Sequence, residues 1–394
     1  MKRPMRVAMI APPWLPLPPL GYGGIENVIT MLVTQLRELD VQVELFTVGE
    51  STLRSHRKHW LYQHSMYSDI QRPYYDSLPI LIAHLTAALN HIKKDGSFDI
   101  IHDHNPYIGP AMLAYADTSL PPIVHTLHGP PLTTPDQIAL GIPSNLPMWH
   151  ELAKSARVHY IPISQFARHK LPRGMHRLTL QPVHNGIQAS EFPFVTQKED
   201  YFITLARFHP NKGQDVAIEL CQRDGYHLKM AGVVGDMVRP KQVMMELANP
   251  LSRYRNLIDF RYFSDHIFPQ IDDRQIEYLG DLAGAPKLRF ISRARALLFP
   301  IQWDEPFGMA VVEALACGPP VIAMARGAMP EIITHGYNGF LANNKREFRA
   351  YMKRVSEIDP ANCRASVEQR FSARRMAEHY LECYRAAIRA GLSA

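Results

Sequence analysis

The chain has 394 residues, a length that suits two domains of ordinary size, each able to bury its own core. Hydrophobic residues make up 46% of it, which excludes a disordered protein, and no apolar run approaches the roughly 18 residues of a membrane-spanning helix. The formal net charge of +6 suits a protein that binds anions or rests on an acidic membrane surface. Nucleic acid is disfavoured as a partner, because the Lys and Arg residues are dispersed and form no basic-aromatic stripe.

Two features of the sequence bear on its cellular location: the N-terminal segment and the cysteines. Val7–Ile10 is too short an apolar core for a signal peptide and is typical of a first strand. The cysteines show no CxxC spacing, so we expect free thiols in a reducing cytosol; they are Cys221, Cys317, Cys363 and Cys383. We therefore expect a cytoplasmic protein, and the positive charge would permit transient association with the inner membrane face.

Short apolar strands alternate with helical stretches along the chain. In the first half, a helix is predicted at Ile25–Leu39 and strands at Arg6–Ile10, Gln42–Val48, Asp99–His102, Ile123–Leu127 and Val158–Ile163. In the second half, strands are predicted at Tyr201–Leu205, His227–Ala231, Ile276–Leu279, Ala296–Pro300 and Val321–Ala323. Strands of four to eight residues separated by helices are typical of βαβ units, so the sequence predicts an α/β fold with parallel sheets.

The alternation of strands and helices stops near Pro182–Ile187, where turn residues without hydrophobic periodicity indicate a linker. We predict an N-terminal Rossmann-like domain at 1–186, a second at 187–375, and a last helix at 376–394 that would cross back to the first domain. Ligands of open α/β sheets bind beyond the carboxyl ends of the strands, so two such domains facing each other would enclose a central cleft. The stretch 236–275 has no clear period and is predicted to be mostly helical.

The most informative segment, EPFGMAVVE, runs from Glu305 to Glu313. A proline and a glycine lead from the first acid into a short helix that carries the second acid. We expect the N–H groups of Phe307, Gly308 and Met309 at the helix start, where free amides and the helix dipole attract an anion. A carboxylate on each side of this anion site could hold hydroxyl groups. A ligand with phosphate in the middle and a sugar at each end, as in a sugar nucleotide, would fit this arrangement. The same acids could form the acid–base pair of a glycosidase, although the second lies in a helix whose start would face phosphate.

Two cations follow a predicted strand of the second half. Arg207 and Lys212 lie in the segment LARFHPNKG. A guanidinium offers a fork to phosphate oxygens and an ammonium adds a compact charge, so this position predicts a diphosphate site. In the first half, the glycine-rich turn Gly21–Gly24 would let the backbone approach a phosphate, although Glu26 stands where a dinucleotide motif needs its third glycine.

Four histidines, His102, His104, His125 and His128, raise the possibility of zinc. His102 and His104 would share one face of a strand, whereas His125 and His128 would not, and no HExxH motif or cysteine pair joins them. We therefore expect no metal. His128 follows a strand and precedes a glycine, which favours a hydrogen-bonding role at the cleft.

Together these motifs resemble the retaining glycosyltransferases of family 4, which have the two-domain GT-B fold. The resemblance spans nearly the whole chain and the E-x7-E segment is its most specific part. In chain order the matching motifs are Gly21–Gly24, Asp99–His104, Leu127–Gly129, Ser164, Asn185–Ile187, Arg207 with Lys212–Gly213, Tyr278–Gly280 and Glu305–Glu313.

The resemblance implies a role for each matching position. Arg207 and Lys212 would bind the donor diphosphate, together with the backbone at Gly23, Gly24, Phe307, Gly308 and Met309. Glu313 would hold the nucleotide ribose and Glu305 the hydroxyls of the transferred sugar. His128 would contact that sugar from the other domain, and Tyr278 and Leu279 would lie along the base. The acceptor would meet the first domain, mainly at Pro12–Pro19 and Leu132–Trp149.

The resemblance also implies an activity. We expect retaining transfer of a hexose from a nucleoside-diphosphate sugar, with a UDP-sugar preferred over GDP-mannose, to a hydroxyl of a saccharide or glycolipid in glycan or polysaccharide biosynthesis. No metal or other cofactor and no nucleic-acid partner is expected. Two alternatives remain: a nucleotide-sugar epimerase or phosphorylase of the same fold, and a non-catalytic nucleotide-sugar binding protein.

Overall fold

A computed structural model of the protein describes residues 3–21, 23–69, 74–133, 138 and 141–391, without the side chains of residues 74 and 75. Tyr22 of the glycine-rich turn, and residues 134–137 and 139–140 of the predicted acceptor segment, lie outside this described part. The chain folds as two compact units. The first consists of Met1–Gly186 and Ala373–Ala394, and the second of Ile187–Ser372.

The first unit is built on a six-stranded parallel sheet in the order β3-β2-β1-β4-β5-β6. Residues of β1 align with β2 on one side and with β4 on the other, as in Val7 beside both Val43 and Ile100. β1, β4 and β5 are buried along nearly their whole length, as expected of parallel strands covered on both faces. The strands are β1 (Arg6–Ile10), β2 (Gln42–Phe46), β3 (Arg57–His59), β4 (Ile100–Asp103), β5 (Ile123–Leu127) and β6 (Val158–Pro162).

The second unit repeats this plan with a parallel sheet in the order β12-β11-β10-β7-β8-β9. β10 lies in the middle, between β11 and β7, and every residue of β10 and β11 is buried. The strands are β7 (Tyr201–Leu205), β8 (His227–Ala231), β9 (Ile276–Tyr278), β10 (Ala296–Phe299), β11 (Val321–Met324) and β12 (Gly339–Ala342). Two six-stranded parallel sheets, one in each unit, confirm the predicted α/β architecture of two Rossmann-like domains.

In the described part of the chain, helices connect all successive strands except β2 and β3, which residues 47–56 join without one. Those of the first unit are Gly24–Glu38, Tyr74–Asp95, Ile108–Leu113, Leu146–Leu152, Gln165–His169 and Ala373–Gly391. Those of the second unit are Gln214–Asp224, Pro240–Ala248, Ile258–Tyr262, Gly284–Ser292, Met309–Cys317, Met329–Ile332, Lys345–Met352 and Pro360–Arg370. No helix in the described part of the chain is both long enough and apolar enough to cross a bilayer.

The first and last residues of the second unit are joined by a short parallel pairing. Ile187 pairs with Ser372, and the Ile187 N–H donates to the carbonyl of Phe371. The chain leaves the first unit at Gly186 and re-enters it at Ala373, so the second unit is one uninterrupted segment of chain. The final helix begins three residues before the predicted boundary at 375/376.

Candidate active site

Three neighbouring strands of the second sheet, β11, β10 and β7, end at the same edge and begin three loops there. Because parallel strands have their carboxyl ends on one side, the loops that follow Leu205, Phe299 and Met324 lie next to one another. The first loop carries Lys212 and the second carries Glu305, which are 93 positions apart in sequence. The strand order is therefore what assembles this site.

Lys212 and Glu305 form a close ion pair. The Lys212 Nζ lies 2.5 Å from the Glu305 Oε2, and both side chains are largely buried. The same carboxylate oxygen accepts a hydrogen bond of 3.0 Å from the Trp303 Nε1–H, while the ammonium lies 4.8 Å from the Trp303 ring centroid. A charge-assisted hydrogen bond and a cation–π contact thus hold the two groups that the sequence assigns to different parts of a ligand.

The backbone of Glu305 is fixed by the loop that follows β11. The Ala328 N–H donates to the Glu305 carbonyl at 2.8 Å. Gly327 has a φ of +59°, and a Cβ built on it would lie 2.2 Å from the Glu305 carbonyl oxygen. Only glycine permits this approach, because a side chain would collide with backbone atoms. The position of the carboxylate therefore depends on two loops.

The anion site predicted at the start of a helix has the expected local structure. Gly308 caps the helix Met309–Cys317 with a φ of +97°, so the first N–H groups of this helix follow the Glu305 loop directly. Phe307 is buried and its ring packs edge-on against Phe371. That packing anchors the turn that precedes the helix, while its amides remain at the helix N-terminus.

Glu313 lies one turn inside the same helix and is also paired. Its Oε2 lies 2.8 Å from the Nζ of Lys287, which belongs to the helix Gly284–Ser292. The side chain of Glu313 is mostly buried, so the lysine compensates its charge. A ligand hydroxyl would have to bind beside this pair.

Arg207 is the more exposed of the two predicted phosphate-binding cations. Its Nε lies 3.6 Å from the Oδ2 of Asp259, and burial raises the pKa of that acid. His209 lies near the other oxygen of Asp259, and burial, together with the charges of Arg207 and Lys212, lowers its pKa to about 4. His209 is thus neutral at pH 7, and the positive charge beside this loop resides on Arg207 and Lys212.

In the segment predicted to lie along a base, Tyr278 and Leu279 have different environments. Tyr278 is buried, and its ring packs against Phe208 at 5.2 Å and Phe263 at 4.8 Å between centroids. The side chain therefore belongs to the core of the second unit, which leaves the half-buried Leu279 and the backbone for any ligand contact.

In the first unit, the glycine-rich turn is part of a tight helix start. The helix Gly24–Glu38 begins directly after Gly23, where a Cβ would lie 2.8 Å from the Pro19 side chain. A Cβ on Gly24 would meet nothing within 4 Å, so space is open beside its backbone. Glu26 in the first turn is buried, and burial raises the pKa of its carboxyl to about 7.

His128 is connected to a buried chain of histidines. Its Nε2 lies 2.7 Å from the Nδ1 of His104, and burial lowers the pKa of His128 to about 3. His104 is also bonded to the sulfur of Met9, and its ring lies 4.0 Å from that of His102. Burial keeps the pKa values of His102 and His104 well below their usual range, so all three rings are neutral at pH 7.

The remaining bonds hold His102 and His125 within the first unit. His102 bonds Thr126 and Tyr384, each at 2.7 Å, and Thr126 bonds Tyr380 at 3.0 Å. His125 turns instead toward Asp103, at 2.7 Å. As predicted, His102 and His104 share a face, and the final helix supplies the two tyrosines that complete it.

Several members of these arrangements have no signal in the sequence. Trp303 stands two positions before Glu305 and could have been suspected as its partner. Asp259 lies in the stretch without a clear period, and Lys287 and Gly327 occur in segments that carry no motif. Their roles become visible only when the sheet order brings separate loops together.

Comparisons with known proteins agree with this architecture. The family model described as Glycosyltransferase Family 4 matches residues 22–191, and the model described as Glycosyl transferases group 1 matches residues 272–370. Together they cover about two thirds of the chain.

Similar proteins match along nearly the full length. The D-inositol 3-phosphate glycosyltransferase of Pseudarthrobacter chlorophenolicus is 23% identical over 97% of this chain and 96% of its own. The alpha-maltose-1-phosphate synthase of Mycolicibacterium smegmatis is 25% identical over 97% of this chain and 99% of its own.

Among solved structures, sucrose-phosphate synthase from Thermosynechococcus elongatus matches with a TM-score of 0.69 at 19% identity, over 98% of this chain and 100% of that one. Anabaena HepE in complex with UDP-glucose matches with a TM-score of 0.66 at 17% identity, over 97% and 100%. These likenesses establish the two-domain GT-B fold. The chain belongs to glycosyltransferase family 4 and is a glycosyltransferase.

Proposed function

We propose that this glycosyltransferase transfers a hexose from a nucleoside-diphosphate sugar, a UDP-sugar in preference to GDP-mannose, to a hydroxyl of a saccharide or glycolipid. Transfer proceeds with retention of the anomeric configuration and without a metal ion. The Lys212–Glu305 ion pair, at 2.5 Å and directly before the start of the helix Met309–Cys317, is the observation that carries the proposal. A cation, a carboxylate and the start of a helix thus lie close together along the chain, which suits the binding of a sugar diphosphate.

Each part of the donor would bind the groups that suit its chemistry. Arg207, Lys212 and the amides at Phe307–Met309 bind the diphosphate, because all of them favour negative charge. Glu305 has both described bonds on its Oε2, so its other oxygen can accept from a sugar hydroxyl. Glu313 takes the ribose hydroxyls, Leu279 and the backbone near Tyr278 border the base, and the neutral His128 offers a hydrogen bond to the transferred sugar.

The chemical step follows from what these groups stabilise. The bond between the anomeric carbon and the phosphate oxygen breaks, and its electron pair leaves with the nucleoside diphosphate. Negative charge grows on that phosphate, and the two cations and the helix N-terminus would stabilise it there. The acceptor oxygen bonds the same face of the anomeric carbon, and its proton passes to the departing phosphate. No carboxylate nucleophile is required by this route.

Related proteins support the donor class. The solved HepE structures contain UDP or UDP-glucose, and the names of other relatives specify sugar or inositol phosphate products and acceptors. UDP-glucose is therefore the first donor to test, and polyhydroxylated acceptors are the first class of acceptor.

A donor panel tests the proposal. The protein is heated with UDP-, GDP- and ADP-sugars, and the donor that raises the melting temperature most is then assayed for transfer to saccharide and glycolipid acceptors, with and without EDTA. We expect a UDP-sugar to stabilise most, and transfer to an α-linked product from an α-linked donor at 25 °C in the presence of EDTA. A product of inverted configuration would contradict retention, and loss of catalysis on chelation would contradict metal independence. Epimerisation of the donor without an acceptor would contradict transfer as the activity.

A further inference from the structure

A second cluster of chemically active side chains lies in the first unit, apart from the residues assigned to the donor. Glu44 on β2, His59 on the edge strand β3 and His91 on the helix Tyr74–Asp95 bring one ligand atom each within 4.8 Å of one another. Glu44 is fully buried, and the two histidines are half-buried. Both imidazoles line a cavity of about 300 Å³, and Trp60, Leu61 and Ala87 are among its other lining residues.

The geometry of the three groups is close to that of a metal site. The His59 Nε2 lies 2.8 Å from the Glu44 Oε2. Ligand atoms about 2.0–2.2 Å from a tetrahedral zinc ion lie roughly 3.4 Å from one another, so small side-chain rotations would suffice to admit the ion. Two imidazoles and a carboxylate are a ligand set used by catalytic zinc and by non-haem iron.

The surrounding side chains hold the imidazole rings in place. Phe46 stacks on His59 with centroids 4.8 Å apart and meets His91 edge-on at 5.6 Å. The two histidine rings lie only 4.0 Å apart. In the described part of the chain, neither ring nitrogen of His91 has a hydrogen-bond partner, although the ring is half-buried. An imidazole held beside a carboxylate without a partner of its own is suited to bind a cation.

The charges nearby also permit a cation. Arg6 pairs with the other oxygen of Glu44 and lies 3.2 Å from Asp95, so two carboxylates surround one guanidinium. Lys58 also lines the cavity, and its ammonium donates to the carbonyls of Gly49 and Ser51. Arg6 thereby orients Glu44 in the way that outer-shell groups orient metal ligands. A water molecule or hydroxide from the cavity could take the fourth coordination position, since both imidazoles face that cavity.

We propose that Glu44, His59 and His91 form a binding site for Zn²⁺ or a similar divalent transition-metal ion, with the fourth position open to the cavity. The site joins β2, the three-residue edge strand β3 and a long helix. Its role is to secure that exposed edge of the first sheet, because binding energy gained only in the folded state stabilises it. The inference does not depend on the proposed donor or acceptor.

Zinc binding by the full chain tests this site. After treatment with a chelator and dialysis, the protein is titrated with Zn²⁺ by calorimetry at pH 7.5. We expect one equivalent to bind and the melting temperature to rise with zinc concentration. His91→Ala should weaken binding by about 100-fold or more, because loss of even an outer-shell group costs 10–100-fold. His64→Ala is the control, since His64 is an exposed histidine that pairs with Glu50 in the same region.

Three outcomes would overturn the proposal: no zinc binding by the wild-type chain, unchanged affinity in His91→Ala, or an equal loss in His64→Ala. X-ray absorption of the zinc-loaded wild-type protein gives a second readout that requires no variant. Two imidazole nitrogens at about 2.0 Å with oxygen ligands are expected. A shell that contains sulfur, or only water, contradicts the assignment. Glu44→Gln should likewise weaken zinc binding, because it removes the charge of the carboxylate ligand, and unchanged affinity would contradict the assignment.

Discussion

The contact between Lys212 and Glu305 shows how much a single pair of residues adds to a motif. The sequence assigns one residue to phosphate and the other to sugar, 93 positions away. The structure joins them through a bond of 2.5 Å and lets Trp303 contact both. A donor would therefore enter a site whose charges are already paired, and it would exchange that pairing for its own phosphate and hydroxyl groups.

Loss of the ammonium should affect nucleotide binding directly. We expect Lys212→Ala to weaken UDP binding by about 10- to 100-fold in calorimetry, because a hydrogen bond to a charged group contributes about 1.5–3 kcal/mol. Lys229→Ala is the matched control, since Lys229 pairs with Glu277 on neighbouring strands of the same unit. Equal UDP affinity for Lys212→Ala and the wild-type chain would remove Lys212 from the phosphate site.

Replacement of the carboxylate should separate binding from catalysis. Glu305→Gln retains an acceptor for the Trp303 N–H but loses the charge next to the sugar. We expect kcat to fall by about 100-fold or more, as for other preorganised polar groups, and UDP affinity to change little. Glu277→Gln serves as the control. Parallel losses in kcat and UDP affinity would show that Glu305 acts on the nucleotide and not on the sugar.

Glu26 makes the stability of the first unit depend on pH. Its carboxyl has a pKa of about 7 in the folded chain and an ordinary value of 4.5 when unfolded. Between these pH values the folded state holds the extra proton, so stability falls as pH rises and the full cost is present above pH 7. Glu26→Gln should raise the free energy of unfolding at pH 8 by up to about 3 kcal/mol and leave it nearly unchanged at pH 4.5. An equal effect in urea unfolding at both pH values would contradict the buried, protonated carboxyl.

At the scale of elements, the site depends on where loops leave the sheet. The loops after β7, β10 and β11 meet because these strands are neighbours, and the glycine at position 327 lets the third loop pack against the second. The start of the helix Met309–Cys317 is thereby fixed from two sides. A glycine that carries no functional group of its own can therefore affect the geometry of the carboxylate.

Gly327→Ala tests this dependence. Its Cβ would meet the Glu305 backbone at 2.2 Å, whereas Gly336, with a φ of +79°, has nothing within 4 Å of a built Cβ. Both alanine variants suffer about 1 kcal/mol of backbone strain, and the collision should add about 2 kcal/mol or more in Gly327→Ala alone. Unfolding of the second unit in urea measures the difference, and kcat should fall only in Gly327→Ala. Similar values for both variants would mean that the loop relaxes freely.

The sequence predicts regular elements better than their contacts. The strands named in advance are present within about two residues, since buried parallel strands are continuous apolar runs. β3 is not predicted, because Arg57–His59 is a short, charged edge strand. β12 is not predicted either, because it begins with Gly339. The resemblance places the segment near Tyr278 along a base, and the structure shows that the Tyr278 ring itself packs in the core. A motif locates a residue along the chain, whereas its side-chain direction depends on strand register.

At the scale of the whole molecule, the last helix belongs to the unit formed by the start of the chain. Tyr380 and Tyr384 are fully buried and bond the Thr126 and His102 side chains of the first sheet. Such partners cannot be deduced from local pattern, because more than 250 positions separate them. The family resemblance predicts the general return of the helix, but not these hydrogen bonds.

A chain that ends at Ser372 should therefore lose stability in the first unit. We expect hydrogen exchange to accelerate in β4 and β5, where buried polar groups lose their partners, while β10 and β11 retain protection. A chain that ends at Gly391 is the control. Uniform loss of protection in both units, or none in β4 and β5, would contradict this division of the chain.

The double passage of the backbone between Gly186–Ile187 and Ser372–Ala373 constrains how new specificities can be made from this scaffold. Because the second unit is inserted within the chain of the first, joining the N-terminal part of one protein to the C-terminal part of another would also exchange the final helix. A chimaera with a foreign second unit should instead be cut at both places and receive that unit as a single segment. The recipient protein then keeps the whole core of its own first unit, including the final helix.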